Sequence, residues 1–511
     1  MPFPSSQRSW MPGFPVWLLG LVVLLLASCS TPQPAPPATA EAPAVEKEFP
    51  AVILNGDYPN PSIVWDGNDY YLTYASRNAL PGLPIWHSRN LREWKMITRA
   101  LQRYVGDVTA PEFVKHGELF YIYFTAGEKN WVVTSKAPVG PWSDPVDLKV
   151  QGSGPGHAVG EDGKRYLHFD GGMAVELAAD GLSVIGQPEQ VFQGWRFPEE
   201  WSTECFCLRS PKIVSRNGQY YLTASQGGSG GTPSGHMVIS ARSKSPLGPW
   251  EQSPYNPVIR TVRDEEPWWS KGIATIFDAG EGRWFAVYNA YRRNERKMGQ
   301  QVIVEPITWT EEGWFHLTEP DKDQFRARTV RNHAIADDTF TSSELSLQWQ
   351  LDASQFAPEY VLKDGQLLLP SQAKKLTVLY AQASDESFDM SVKLHPAGGV
   401  EAGLVLYFRP DSFVGIGPDA GHATQYVGGV ADSKSRISCP ACQFWRLSLR
   451  GNTLAMYYSE DGQVWKKHPR VIDISALHGD PMGGFHSMKP AIFVRGKGTL
   501  AIDEFTYTAI R

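Results

Sequence analysis

Thr203-Glu-Cys-Phe-Cys-Leu-Arg-Ser-Pro-Lys-Ile213 and, close behind it, Asn217-Gly-Gln-Tyr-Tyr-Leu-Thr-Ala-Ser-Gln-Gly-Gly228 form the stretch on which the fold reading turns. Its second half is a turn dipeptide followed by alternating, aromatic-rich residues, the pattern of a β-hairpin. The phrase recurs at Asp66–Leu72, His116–Ile122, Asp162–Leu167 and Glu281–Val287. Successive copies lie roughly 45–65 residues apart, the range of propeller repeats. A second phrase, with a terminal Trp, follows several copies at His87–Trp94, Ser135–Trp142 and Ser243–Trp250. Five four-stranded units of this kind close radially around a central funnel, so residues 50–332 are expected to form a five-bladed β-propeller.

The repeats stop near Asp338. Long alternating runs replace them at Phe388–His395, Gly403–Phe408, Phe444–Leu449, Leu454–Ser459, Ala491–Arg495 and Leu500–Thr508, separated by turn signals. Residues 338–511 are therefore expected to be a β-sandwich, and the whole chain all-β. Its 511 residues leave room for both domains. A net charge of −6 gives no reason to expect nucleic acid as a partner. The 18 Trp and 20 Tyr suit blade packing first, and sugar binding second, since pyranose faces stack on flat side chains.

The N-terminus has the form of an export signal: Arg8, the apolar run Val16–Ala27, then Leu26-Ala-Ser-Cys29. The last four residues resemble a bacterial lipobox, which implies cleavage before Cys29 and a lipid on its thiol. Residues 1–29 are thus read as a lipoprotein signal and residues 30–49 as a Pro/Ala-rich tether. The expected location is outside the cytoplasm, anchored to the cell envelope through Cys29, and in the outer membrane or periplasm if the source is Gram-negative. Four other cysteines remain. Cys439-Pro-Ala-Cys442 could close a small loop, Cys205 and Cys207 make an unpromising pair, and a four-thiolate zinc site is the alternative. No metal or other cofactor is expected.

Several phrases in blade order carry a family resemblance: Gly56–Ile63, Pro81–Ser88, Ala110-Pro-Glu112, Gly154-Pro-Gly-His157, Cys205–Lys212 and Trp268–Gly272. On these the propeller resembles glycoside hydrolase family 43. The second domain resembles the concanavalin A-like C-terminal domain of that family's β-xylosidases. The resemblance implies inverting hydrolysis of xylosides or arabinosides, which needs one carboxylic acid for the leaving oxygen and one carboxylate to activate water. It also implies a third carboxylate that tunes the acid.

Each implied position departs from the family. The general-base Asp is Asn60, the modulating Asp is Gly154 and the general-acid Glu is Arg209. An amide is a poor proton acceptor and a guanidinium stays charged, so neither replaces a carboxyl group. Nearby positions differ as well: Ile273 stands for a His facing the axis, Gln300 for an Arg, and Thr109 for a Trp.

The reading is a glycan-binding family-43-like protein without hydrolytic activity, taking a xylan-type, arabinan-type or acidic sugar. One alternative is an active inverting glycosidase using displaced acids, Glu204, Glu112 or Asp57. Another is a scaffold that binds no sugar. Trp86, His157, Arg209, Trp268 and Trp269 are the candidate sugar contacts, with Trp131, Trp195 and Trp201 as further candidates to line or rim the funnel. Arg209 either meets an anionic sugar or pairs with Glu204 or Glu112 and plugs the pocket. Ser438–Trp445 is either a rim loop of the pocket or a surface disulfide loop.

Overall fold

The computed structural model describes residues 51–229, 235–318, 335–397, 399–479 and 486–510, with the backbone alone of Arg328–Thr329. The expected signal, Cys29 and the tether lie outside these residues. Among the described residues, no helix is long and apolar enough to cross a membrane.

The repeated phrase folds as its residues require. Asn217 and Gly218 take φ of 52° and 69°, and a tight hairpin turn of this hand demands left-handed residues of that kind. The flanking strands, Arg209–Arg216 and Gln219–Gln226, pair antiparallel from Arg209↔Ser225 to Arg216↔Gln219. Five such units follow. The first blade comprises Ser62–Trp65, Tyr70–Thr73, Gly82–Ser88 and Lys95–Leu101. The innermost strands of the next three are Thr109–His116, Gly156–Val159 and Arg209–Arg216.

The fifth blade closes the ring. Trp268–Asp278, Trp284–Arg292 and Gln300–Trp309 receive their outer partner from the start of the domain, Ala51–Leu54, at Ala51↔Val304 and Val52↔Ile303. Blade faces bury alternate side chains against each other; Tyr121, Tyr123, Leu148, Leu167 and Phe169 form one such seam.

The second domain is a two-sheet sandwich. One sheet is built on Leu376–Tyr380, Lys489–Arg495, Glu401–Arg409 and Ser412–Asp419. The other is built on Gly498–Ala509, Phe388–Ala397, Phe444–Arg450 and Thr453–Ser459. Every alternating run singled out in the sequence is one of these strands, and their inward residues enclose Trp349 and Trp445, each 1 % exposed or less.

The two domains share a sheet. Ala79–Leu80, from the first blade, pairs with Gln350–Asp352 at the edge of the sandwich. Beside it, buried Arg99 donates to Leu347 O (2.8 Å), Gln350 Oε1 (3.0 Å) and Pro81 O (3.4 Å).

Candidate glycan-binding site at the propeller axis

The innermost strands share an irregularity near the axis. Asn60, Ala110, Gly154, Ser210 and Ile273 all have positive φ, from 44° to 69°. In the second, fourth and fifth blades the pairing register shifts at this place, between Thr109 and Glu112, Arg209 and Lys212, and Trp269 and Thr275. A bulge of this kind bends a strand and re-aims its side chains. In these three blades it bends the start of the inner strand at the funnel.

Each left-handed residue presents an N–H that cannot join a regular ladder, and a side chain accepts it. Asn60 N donates to Asn289 Oδ1 (3.1 Å), Gly154 N to Thr125 Oγ1 (3.1 Å) and Ile273 N to Ser225 Oγ (2.6 Å). Ser210 N donates to Asp170 Oδ1 (2.7 Å). In the second blade Ala110 N donates to Asn60 Oδ1 (3.3 Å), so in all five blades the acceptor comes from the preceding blade.

The funnel holds a cavity of about 420 Å³. Its polar lining includes Asn60, Arg77, Asp170, Glu204, Arg209 and His236; Thr109, Ile273 and the Cys205–Cys207 disulfide contribute to its walls. No Trp, Tyr or Phe is among the described residues that line it.

All three positions implied by the resemblance lie at this axis, and the chemistry of each is settled by its neighbours. The Asn60 amide is tied to the Ala110 N–H. Arg209 is exposed to the cavity and has neither an ion pair nor a side-chain hydrogen bond among the described residues. At Gly154 a Cβ would lie 2.4 Å from Asp170 Oδ1 and 2.9 Å from the Ser210 backbone. The space of a side chain at position 154 is therefore already filled by Asp170.

Asp170 is the carboxyl group that the sequence reading missed. Burial pushes its pKa up to about 6, against the pull of the Ser210 N–H, Arg209 and Lys212. It follows strand Arg165–Phe169 and belongs to no phrase of the resemblance. Only its place beside Gly154 marks it.

The fallback acids separate. Glu112 is buried in an ion pair with Lys212 (2.6 Å) and accepts from Ser62 Oγ (3.1 Å). Lys212 Nζ also reaches Pro111 O (2.9 Å) and Pro155 O (3.1 Å), so this pair, with Ser62, fastens four blades together. Asp57 accepts from Gln300 N (3.1 Å) and from Ser487 Oγ of the sandwich (2.6 Å) and orders the domain junction. Glu204 alone lines the cavity, where its Oε2 accepts from Ser229 N (3.1 Å). Arg209 is not plugged by Glu112, whose carboxylate belongs to Lys212.

Of the expected sugar contacts, Arg209 lines the cavity. Trp86 and Trp268 are 2 % and 7 % exposed, in the packing between blades. His157 is buried and accepts from Arg165 Nε (3.0 Å), and burial lowers its pKa to about 3. Trp269 is partly exposed but is not in the cavity lining, and the charges of Arg293 and Arg296 lie 5.8 and 5.9 Å from its ring. Trp195 and Trp201 pack edge-on (5.8 Å) in the loop that carries Phe206 and the disulfide.

Two cysteine expectations need correcting. Cys205 and Cys207 are bonded to each other, because the backbone between them bends through positive φ at Cys207 (39°). Cys439 and Cys442 form the other disulfide, which leaves no thiolates for a four-cysteine zinc site. The Cys439–Cys442 loop borders a separate cavity on the sandwich, with His395 and His422.

Comparison with known proteins agrees with this architecture. Residues 49–315 match the model of glycosyl hydrolases family 43, and residues 337–508 match the β-xylosidase C-terminal concanavalin A-like domain. A non-reducing end α-L-arabinofuranosidase of Bacteroides ovatus is 30% identical over 300 residues, 54% of each chain. A xylan 1,3-β-xylosidase of a Vibrio species is 30% identical over 284 residues, 49% of this chain and 51% of its own. The matches span about half the length of these relatives. Among solved structures, a family-43 protein of Bacillus licheniformis superposes with a TM-score of 0.79 at 23% identity, covering 90% of this chain and all of its own. A xylan β-1,4-xylosidase of Bacillus halodurans gives 0.78 at 22%, covering 90% and 99%. With a family model matching over half its length and a propeller and sandwich in the same order, this chain belongs to glycosyl hydrolase family 43.

Proposed function

We propose that this family-43 protein binds a glycan carrying a carboxylated sugar and does not hydrolyse it. The observation that carries the reading is Arg209: a guanidinium open to the cavity and without an ion pair among the described residues, at the position that the resemblance gives to the general acid. A planar fork of this kind binds a carboxylate through two parallel hydrogen bonds. Asn60 supports the same reading, because an amide cannot accept the proton of an attacking water near neutral pH. The lipobox-like Leu26–Cys29 stretch adds a place to the proposal, a lipid-anchored protein that holds its glycan outside the cytoplasm.

Calorimetric titration with D-glucuronate, D-galacturonate and neutral methyl xyloside tests the binding. A sugar acid is expected to bind more tightly than the neutral sugar, and Arg209→Gln to weaken it by about 10- to 100-fold, the value of a charged hydrogen-bonded contact. Equal affinity for acid and neutral sugars would overturn the anionic assignment.

A second reading, hydrolysis by displaced carboxyl groups, is favoured by one observation: Asp170 and Glu204 line the same cavity. Aryl xylosides and arabinofuranosides decide it. Turnover that disappears in Glu204→Gln would replace the binding proposal with this one.

A further inference from the structure

The ring of acceptors around the axis contains its own comparison. Thr125, Ser225 and Asn289 satisfy the N–H groups of Gly154, Ile273 and Asn60 with neutral oxygens. Between the third and fourth blades the same task falls to a carboxyl group, Asp170. The hydrogen bond does not require a charge, as the other four junctions show, the fourth being Ala110 N to the amide oxygen of Asn60. Burying an ionisable group there is costly to the fold. The neutral alternative was available and is not used.

Two further features separate Asp170 from a simple cap. Its Oδ1 takes the Ser210 N–H, while Oδ2 has no hydrogen bond among the described residues although Asp170 lines the cavity. The residue also fills the space that a side chain on Gly154 would need. A carboxyl group thus enters the funnel from the end of strand Arg165–Phe169, which pairs with the strand that follows Gly154, the position the resemblance gives to a carboxylate.

We propose that Asp170 is a ligand-contacting residue of this cavity: its free oxygen holds a hydroxyl of the bound sugar acid whose carboxylate lies on Arg209. The inference rests on the sugar-acid reading above. It adds a signature of its own, because a carboxyl group next to an anionic ligand is held best when protonated. The groups facing Asp170 are Arg209, Lys212 and the Ser210 N–H, with Glu204 and His236 in the same cavity lining. Lys212 is itself neutralised by Glu112. His236 is pushed down to about 4 by burial, so it stays neutral in the window where Asp170 titrates near 6. Sugar-acid affinity should therefore fall as pH rises through that value.

The test is calorimetric titration of the whole chain with methyl β-D-glucuronide and D-galacturonate at pH 5 and pH 7, for the unsubstituted protein, Asp170→Asn and Asp170→Thr. Both variants keep a neutral acceptor for Ser210 N of the kind found at the other junctions. The unsubstituted protein is expected to bind about tenfold more weakly at pH 7 than at pH 5, as one titrating group near 6 allows. In the variants that difference should shrink below about twofold. Proton uptake, read from titrations of the unsubstituted chain in buffers of different ionisation enthalpy at pH 6.5, provides a readout that no folding defect can obscure. Uptake close to half a proton or more supports the proposal. Variants with unchanged affinity and unchanged pH dependence, or zero proton uptake, would reduce Asp170 to a backbone cap and overturn the inference while leaving the sugar-acid reading intact. An unsubstituted chain that binds neither sugar acid overturns both.

Discussion

A carboxylate at position 154 would have to displace Asp170, because its Cβ would begin 2.4 Å from Asp170 Oδ1, on a backbone with φ of 69°. Gly154→Asp is therefore expected to destabilise the protein by about 2–4 kcal/mol, from overpacking together with left-handed strain. Asp170→Gly in the same chain should recover part of the loss in denaturant midpoint. The Lys212–Glu112 pair makes a second residue-scale prediction. Lys212→Met strands a buried carboxylate and should cost about 3–5 kcal/mol, whereas the double change Lys212→Met, Glu112→Leu should cost much less. Asn60 and Arg209 were legible in the sequence because each sits inside an otherwise preserved phrase. Asp170 was not: its role comes from the place its side chain reaches, and Phe169-Asp-Gly-Gly172 is none of the phrases on which the resemblance was read.

Among the elements, the axial bulges are the feature that organises the site. Thr125→Ala and Ser225→Ala each leave a buried N–H without its acceptor, and each should lower the free energy of unfolding by about 1–3 kcal/mol in denaturant titration. Asp170→Asn should not, since an amide still accepts. The Cys205–Cys207 disulfide closes so short a loop that its chain-entropy contribution is only about 1–2 kcal/mol. Reduction should therefore change the melting temperature little and the ligand affinity more, because both cysteines line the cavity. Long alternating strands were readable from their period of two. The junction strand Ala79–Leu80 was not, as two residues carry no period, and its partner Gln350–Asp352 lies about 270 residues further along the chain.

At the scale of the whole molecule the propeller and sandwich are expected to unfold together. Arg99 Nη2 donates to Leu347 O (2.8 Å) and Nη1 to Gln350 Oε1 (3.0 Å), and Arg99→Ala should cost ~3 kcal/mol by losing both bonds and leaving the Gln350 oxygen buried without a donor. A second, weaker transition in calorimetry of that variant would show the domains uncoupled.

The molecule should also be acid-labile. Burial holds His157 at about 3, and His168 and His236 at about 4, all below the unfolded value of about 6.5. Their contribution is fully present above pH 6.5 and is lost as pH falls toward 4, by up to ~1.4 kcal/mol per histidine per pH unit. Asp170 acts with the opposite sign. Its raised pKa favours the folded state at low pH and costs stability as pH rises from about 4 to 6. Asp170→Asn should accordingly melt higher than the unsubstituted protein at pH 7, and no higher at pH 4.

The repeated turn, the alternating strands and the family phrases determined two β-domains and the ring of five blades, and pointed to Asn60, Gly154 and Arg209 as the positions where the resemblance expects carboxyl groups. These are properties of local period and of spacing, which a linear chain displays directly. Tertiary structure alone decided that Arg209 stands open in the funnel while Glu112 is spent on Lys212, and that Asp57 binds the sandwich. It also brought the Asp170 carboxyl group into the space left by Gly154. Each of these depends on which charge lies within 3–4 Å of which, and that distance is set by strands far apart in sequence that meet only when the ring closes.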